Sequence, residues 1–247
     1  MKSWVEKYSE FVDELKSSRR HFLSDSSKEF LTCLKELAGK RTLLLKQGDV
    51  LYRARKNEVV KKDGRHQPSV DPWPAEEMTP SLNMNSEGRA NPYNITMMYL
   101  ASSEETAIAE VRPDVGFPVT VGEFKVVKEL KLVDFVSLRP SWSWYYKLTD
   151  DDENLWLNLS NDYSRPLYKE EQQINYLQTQ VIAEYFKDQG FDGLIYQSQF
   201  KAQKISSKGE DIAKNFVIFD LKTVECIKTE VWKISEQSVL VEKFIKR

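Results

Sequence analysis

The chain of 247 residues suits one large domain, or one domain with an appendage, and its 40% hydrophobic and 12% aromatic residues allow a sizeable core. A formal charge of -2 supplies no whole-molecule field to draw in nucleic acid. Two cysteines (Cys33, Cys226) and two histidines (His21, His66), none with a partner at ligand spacing, argue against a metal cluster, a disulfide framework and a histidine-based triad.

The opening residues Met1 to Glu6 lack the apolar stretch of a signal peptide, and no run approaches membrane-spanning length. A soluble cytoplasmic protein is expected. Trp4, Val5, Tyr8, Phe11, Val12 and Leu15 fall at helical spacing. A second helix is expected to start near Ser26 or Ser27, to carry Phe30, Leu31, Leu34, Leu37 and Ala38, and to stop at Gly39. Residues 1–46 therefore form a helical N-terminal appendage, most simply a cap packed on the main core, and 47–247 form the main domain.

The pattern turns strand-like from Asp49 to Arg55. Residues 61–92 hold five prolines and little periodicity and read as a long loop, a feature that in small domains is usually functional or disordered. Strand signals return at Thr96–Ala101 and through Val119–Phe135. The stretch 141–157 gathers Trp142, Trp144, Tyr145, Tyr146 and Trp156 around an acidic break at Asp150 to Glu153, with core packing favoured over ligand stacking. Residues 170–188 give the clearest helix, with Ile174, Leu177, Val181 and Tyr185 at i+3 and i+4 intervals and a stop at Gly190. Strands follow at Phe191–Tyr196, Asn215–Asp220, Val224–Ile234 and Leu240–Ile245. Strands and helices mix without regular βαβ alternation, so the fold class is α+β.

Several polar residues stand out against this frame. Ser102 and Glu105 have capping-box spacing, and Pro113 biases Arg112 away from helical geometry, so a short helix ends near Val111. Glu110 then lies at the negative end of the helix dipole, where a carboxylate is disfavoured by roughly 0.3–1 kcal/mol. Local rule-breaking of this kind is enriched at functional sites. Arg53 and Arg55 alternate about Ala54 and face one side of a sheet, where two planar forks suit phosphate oxygens, although surface arginines on an edge strand are the commoner explanation. Gly88-Arg89-Ala90-Asn91-Pro92 is a turn with a cation and an amide in it. Ser198 follows the apolar strand Gly193 to Tyr196, with no base and no Gly-x-Ser-x-Gly elbow, which argues against a serine nucleophile. Lys201, Lys204 and Lys208 read as a solvated loop. Neither a Walker A loop nor a Gly-x-Gly-x-x-Gly turn is present.

Taken in order, Tyr52-Arg53-Ala54-Arg55, Gly88-Arg89-Ala90-Asn91-Pro92, Tyr99-Leu100-Ala101, Ala107-Ile108-Ala109-Glu110-Val111-Arg112-Pro113 and Ile195-Tyr196-Gln197-Ser198 resemble the RES domain family, over residues 49–221. The resemblance implies an ADP-ribosyltransferase-like fold: a split, mostly antiparallel sheet with flanking helices, clasping NAD in a central cleft. Carried over by motif, Arg53 matches the family's arginine, Glu110 its glutamate, Ser198 its serine, and Tyr99 an aromatic of the NAD pocket. Ala90 stands where many relatives have tryptophan, and the first forty-odd residues and the C-terminal strands exceed the compact toxins of the family.

NAD as substrate, with no metal, is what the resemblance implies. Its members include toxins of toxin–antitoxin pairs that act by depleting NAD, so phosphorolysis or hydrolysis of the nicotinamide–ribose bond is expected, with phosphate as a possible acceptor and an antitoxin as a possible partner. Arg53, assisted by Arg89 or Arg55, would bind the phosphates; Tyr99 would pack on the ring or ribose. Glu110 would hydrogen-bond the ribose and stabilise its developing positive charge, and Ser198 would contact the nicotinamide side or the acceptor. Protein ADP-ribosylation is the alternative outcome. A non-catalytic nucleotide-binding or interaction module is a rival of another class, and a nucleic-acid binder (Arg53, Arg55, Lys61, Lys62, Arg65) is disfavoured by the net charge.

Overall fold

The structure, a computed structural model, describes residues 2–62, 65–81, 87–136, 151–165, 175–200, 205–206, 209–210 and 212–235. The aromatics at 142–146, Ile174, the lysines at 201, 204 and 208, and the strand expected at 240–245 lie outside the described residues.

Helix α1 (Trp4–Ser17) starts on a reciprocal capping box in which Ser3 Oγ accepts from the Glu6 amide and the Glu6 carboxylate accepts from the Ser3 amide. Its apolar stripe buries Tyr8, Phe11 and Leu15. Helix α2 (Asp25–Ala38) begins one or two residues earlier than the sequence pattern suggested, because Ser24 caps it. Glu14 of α1 accepts from the Ser24 and Ser27 hydroxyls, which ties the two helices together, and those hydrogen bonds hold its carboxyl below the usual range.

The strands are β1 (Thr42–Leu45), β2 (Val50–Lys56), β3 (Val59–Lys62), β4 (Arg65–Pro68), β5 (Met98–Ala101), β6 (Pro118–Val126), β7 (Leu130–Asp134), β8 (Gly193–Gln197), β9 (Ile205–Ser206), β10 (Gly209–Glu210), β11 (Lys214–Ile218) and β12 (Val224–Lys233). The further helices are α3 (Ala75–Met78), α4 (Glu104–Val111), α5 (Asp151–Ser164) and α6 (Leu177–Asp188). Two departures from expectation are plain. The supposed loop from 61 carries the β3–β4 hairpin and α3. The acidic break at Asp151, Asp152 and Glu153 is the first turn of α5, where carboxylates suit the positive end of the helix dipole. Trp156 in that helix is core, with its ring centroid 5.7 Å from that of Phe135.

Eight strands form one sheet in the order β1-β7-β8-β11-β5-β2-β6-β12. All neighbours are antiparallel except β7 and β8, whose connection runs through α5 and α6. The fold is therefore α+β with a mostly antiparallel sheet. Between β5 and β2 the register is a single pair, Tyr52↔Ala101. Elsewhere β2 pairs along its whole length with β6, from Val50↔Lys125 to Lys56↔Val119. The sheet thus divides there into a five-strand half and a three-strand half.

Alternation assigns the faces. Leu194, Tyr196, Val217 and Val133 look toward α1, α2, α5 and α6, and join Phe11, Phe30, Leu34, Phe135, Leu159, Tyr163, Ile182 and Phe186 in the main core. Met98, Leu100, Leu132, Ile195, Phe216 and Ile218 form a second cluster on the other face with Leu51, Met78 and Phe124. A third, small-residue patch (Ala54, Ala101, Ala107, Val119, Val121) lets α4 lie close on β2. Each fully buried large side chain contributes about 1.5–3 kcal/mol. The β8 start needs glycine: a Cβ on Gly193 would sit 2.1 Å from the Val217 carbonyl oxygen.

Candidate active site

Helix α4 is capped by Ser103, whose hydroxyl accepts from the Thr106 amide, one residue later than the box expected at Ser102. Ser102 instead accepts from the Lys214 amide, and its own amide donates to the Lys214 carbonyl, because it sits where β5 runs out beside β11. The helix ends at Val111, as Pro113 requires, with Arg112 in the left-handed region at φ 45° and ψ 64°. A non-glycine residue there costs roughly 1–2 kcal/mol.

This short helix delivers Glu110 to the ends of β8 and β11. Glu110 Oε1 accepts from Ser198 Oγ at 2.7 Å and from Asn215 Nδ2 at 2.6 Å. Both donors are buried, whereas Glu110 is exposed. Its second oxygen has no hydrogen-bond partner among the described residues. Two buried donors on one oxygen fix the carboxylate and leave the other oxygen pointing outward as an acceptor. Asn215 was not singled out from the sequence. Its signal was an amide inside the apolar strand Lys214 to Ile218, since a buried amide must find a partner.

Tyr99, on the same sheet face as Asn215 and Tyr196, uses its hydroxyl fully: it donates to Asn91 Oδ1 at 2.7 Å and accepts from the Ala90 amide at 3.0 Å. Burial pushes that hydroxyl up to about 12, against the pull of the Ala90 and Asn91 amides. The Gly88–Asn91 turn is further held by Gln180 Nε2, which donates to the Gly88 and Asn91 carbonyls. A Cβ at position 88 would meet both Asn91 Oδ1 and the Tyr99 hydroxyl at 2.6 Å, so any larger residue would displace that hydrogen-bonded pair. Tyr196, directly opposite Asn215, is raised well above the ordinary phenol range by burial, then by Tyr99 and Glu110.

The three arginines part company. Arg89 donates to the carbonyls of Asp162 and Arg165, at the end of α5, and lies 5.5 Å from the Tyr176 ring centre. Arg55 stacks 3.4 Å over the Trp73 ring and donates to the Glu77 carbonyl at 2.7 Å. Arg53 shares the Arg55 face, as alternation requires, but reaches into the gap where β2 leaves β5. There Nη1 donates to the Tyr99 carbonyl at 3.2 Å. Its Nε is buried without a partner. Arginine ion pairs among the described residues belong to Arg41 and Arg165. Burial, then the neighbouring Arg55 charge, lowers the Arg53 guanidinium to about 10, which leaves it charged at neutral pH. A guanidinium whose buried Nε has no partner favours a negatively charged neighbour.

The expected residues are thus brought together in part. Glu110 and Ser198 touch, and Tyr99 lies on their face, two positions along the neighbouring strand from Asn215, whereas Arg53 leaves the opposite face, that of Leu51 and Met98, and meets this set only at the Tyr99 carbonyl. Arg55 and Arg89 are tied to other elements.

A model of the RES domain matches residues 50–237. The chain belongs to the RES domain family. All the site residues above fall inside the matched segment, while α1, α2 and β1 precede it. A solved structure that the chain is similar to is a chain of the M. tuberculosis MbcT–MbcA toxin–antitoxin complex, at 13% identity and a TM-score of 0.40, with 82% of this chain and 93% of that one covered. No curated protein sequence matches the chain significantly.

Away from the RES motifs, Glu104, Glu123 and Glu230 place carboxylate oxygens within 4.8 Å of one another. Lys228 lies 3.2 Å from Glu123 and 2.9 Å from Glu230, so an ammonium already neutralises part of that cluster. No helix among the described residues is long and apolar enough to cross a membrane.

Proposed function

We propose that this RES protein consumes NAD by breaking the bond between nicotinamide and ribose, with phosphate or water as acceptor. One observation carries the proposal: the Arg53 guanidinium, with a buried unpartnered Nε, enters the split of the sheet from the Leu51–Met98 face and ends at the Tyr99 carbonyl, across the sheet from Glu110, Ser198 and Asn215. Arg53 supplies the charge for the pyrophosphate. As the glycosidic bond lengthens, its electron pair moves to the ring nitrogen and nicotinamide leaves neutral, so no strong acid is needed in a site without histidine. Positive charge grows on the ribose, and the free oxygen of Glu110 faces it.

Ser198 and Asn215 act on Glu110 as positioning residues. Tyr99 acts through its ring face, because its hydroxyl is occupied in holding the Gly88–Asn91 turn. Membership of the RES family, which includes toxins paired with antitoxins, supports a partner protein that restrains the activity.

The test is release of free nicotinamide from NAD by the purified full chain, with and without phosphate, alongside Glu110→Gln. Wild type should release nicotinamide, and the variant should lose about a hundredfold or more in turnover while keeping its melting temperature. Absence of release, or full turnover by the variant, would overturn the proposal. Transfer of labelled ADP-ribose to protein would redirect it to the transferase alternative.

A further inference from the structure

Arg112 is left over from the site as described, and its circumstances are unusual. It closes α4 in the left-handed region, a place where helices normally put glycine, and Pro113 behind it is buried. Its exposed guanidinium is 5.7 Å from the ring centre of Phe200. The Phe200 amide donates to Ser198 Oγ, and that same hydroxyl donates to Glu110. Glu110, in the last turn of α4, and Arg112, its cap, therefore both meet one short segment, Ser198 to Phe200. Among the described residues Arg112 has no carboxylate partner, although Glu110 is two positions away. A stacked guanidinium keeps its in-plane N–H donors free, in the fork that matches phosphate oxygens.

We infer that Arg112 forms the acceptor subsite for inorganic phosphate, and so determines that phosphate outcompetes water at the ribose. The inference rests on the NAD-cleaving role proposed above. An acceptor dianion approaching the ribose meets the Glu110 carboxylate, and a cation on the same Ser198–Phe200 segment offsets that repulsion. The step balances without a further reagent. An oxygen of hydrogenphosphate forms a bond to the ribose anomeric carbon. The carbon–nitrogen bond breaks with its electron pair going to nicotinamide. The phosphate proton stays on the product, ADP-ribose phosphorylated at that carbon. Backbone strain at Arg112 is then the cost of a side chain that glycine cannot provide.

The experiment uses the full chain, NAD and inorganic phosphate, with nicotinamide and the two sugar products quantified separately. Arg112→Gly keeps the left-handed backbone, and so the placement of Glu110, while removing the fork. Arg112→Lys keeps a point charge alone. For Arg112→Gly the KM for phosphate should rise about tenfold or more, as loss of a charge-assisted contact implies. The KM for NAD should move much less, and the lysine variant should fall between. An unchanged phosphate KM, or a parallel rise in the NAD KM, overturns the subsite. A wild type that cleaves NAD with products indifferent to phosphate also overturns it while the proposed function stands. A wild type that releases no nicotinamide removes both.

Discussion

Strands β7, β8, β11 and β5 are largely apolar and lie under helices on one face, whereas β12, at the far edge of the other half, buries only Val224 and shows Ile227 and Trp232 to solvent. The five-strand half is closed over by helices; the three-strand half keeps β6 buried but ends in an outer strand open to solvent. The candidate site lies where they meet, at the single pair Tyr52↔Ala101, and draws Arg53 from one half and Tyr99, Ser198 and Asn215 from the other. A well-packed half supplies fixed side chains, and a loosely joined neighbour supplies the opening for a ligand.

The contrast can be broken by substitutions that should differ in size. Phe186→Ala in the packed half should cost about 3–5 kcal/mol in urea-induced unfolding, since its fully buried ring touches the rings of Phe135 and Phe191. A loss below 1 kcal/mol would mean that this core is not close-packed. At the junction, Arg53→Met should change the stability of the ligand-free protein by no more than about 1 kcal/mol, because removing the unpartnered Nε is offset by unpairing the Tyr99 carbonyl. The same change should abolish NAD-dependent thermal stabilisation. A variant still stabilised by NAD would contradict an anion site at Arg53. On the outer strand, Trp232→Ala should change unfolding by no more than about 0.5 kcal/mol. A cost comparable with that of Phe186→Ala would erase the distinction between the halves.

Much of this was legible in the sequence, for physical reasons. Alternation put Arg53 and Arg55 on one face, and Pro113 placed the end of α4 at Val111. The motif order gave the RES family, whose model covers residues 50–237. Alternation says nothing of what a side chain meets, so the separate fates of Arg53, Arg55 and Arg89 were hidden. Arg55 is claimed by Trp73 and Arg89 by the end of α5, both distant in sequence. Asn215 was hidden because its partner, Glu110, is 105 residues away. The β3–β4 hairpin left no periodic signal because its apolar residues, Val59 and Val60, are exposed and bury nothing. Helix α5 was obscured by reading its acidic first turn as an interruption, when carboxylates at that end favour a helix.

The N-terminal helices carry a practical consequence for anyone working with the RES segment alone. Helices α1 and α2 lie against α5 and α6 and share one apolar cluster with them, while β1 covers the edge of β7. Cutting the chain at residue 50 would bare the outer sides of two helices and a row of strand amides at once. Such a fragment would expose apolar surface and an open sheet edge, both routes to aggregation, and a negative result with it would not test the function proposed for the full chain.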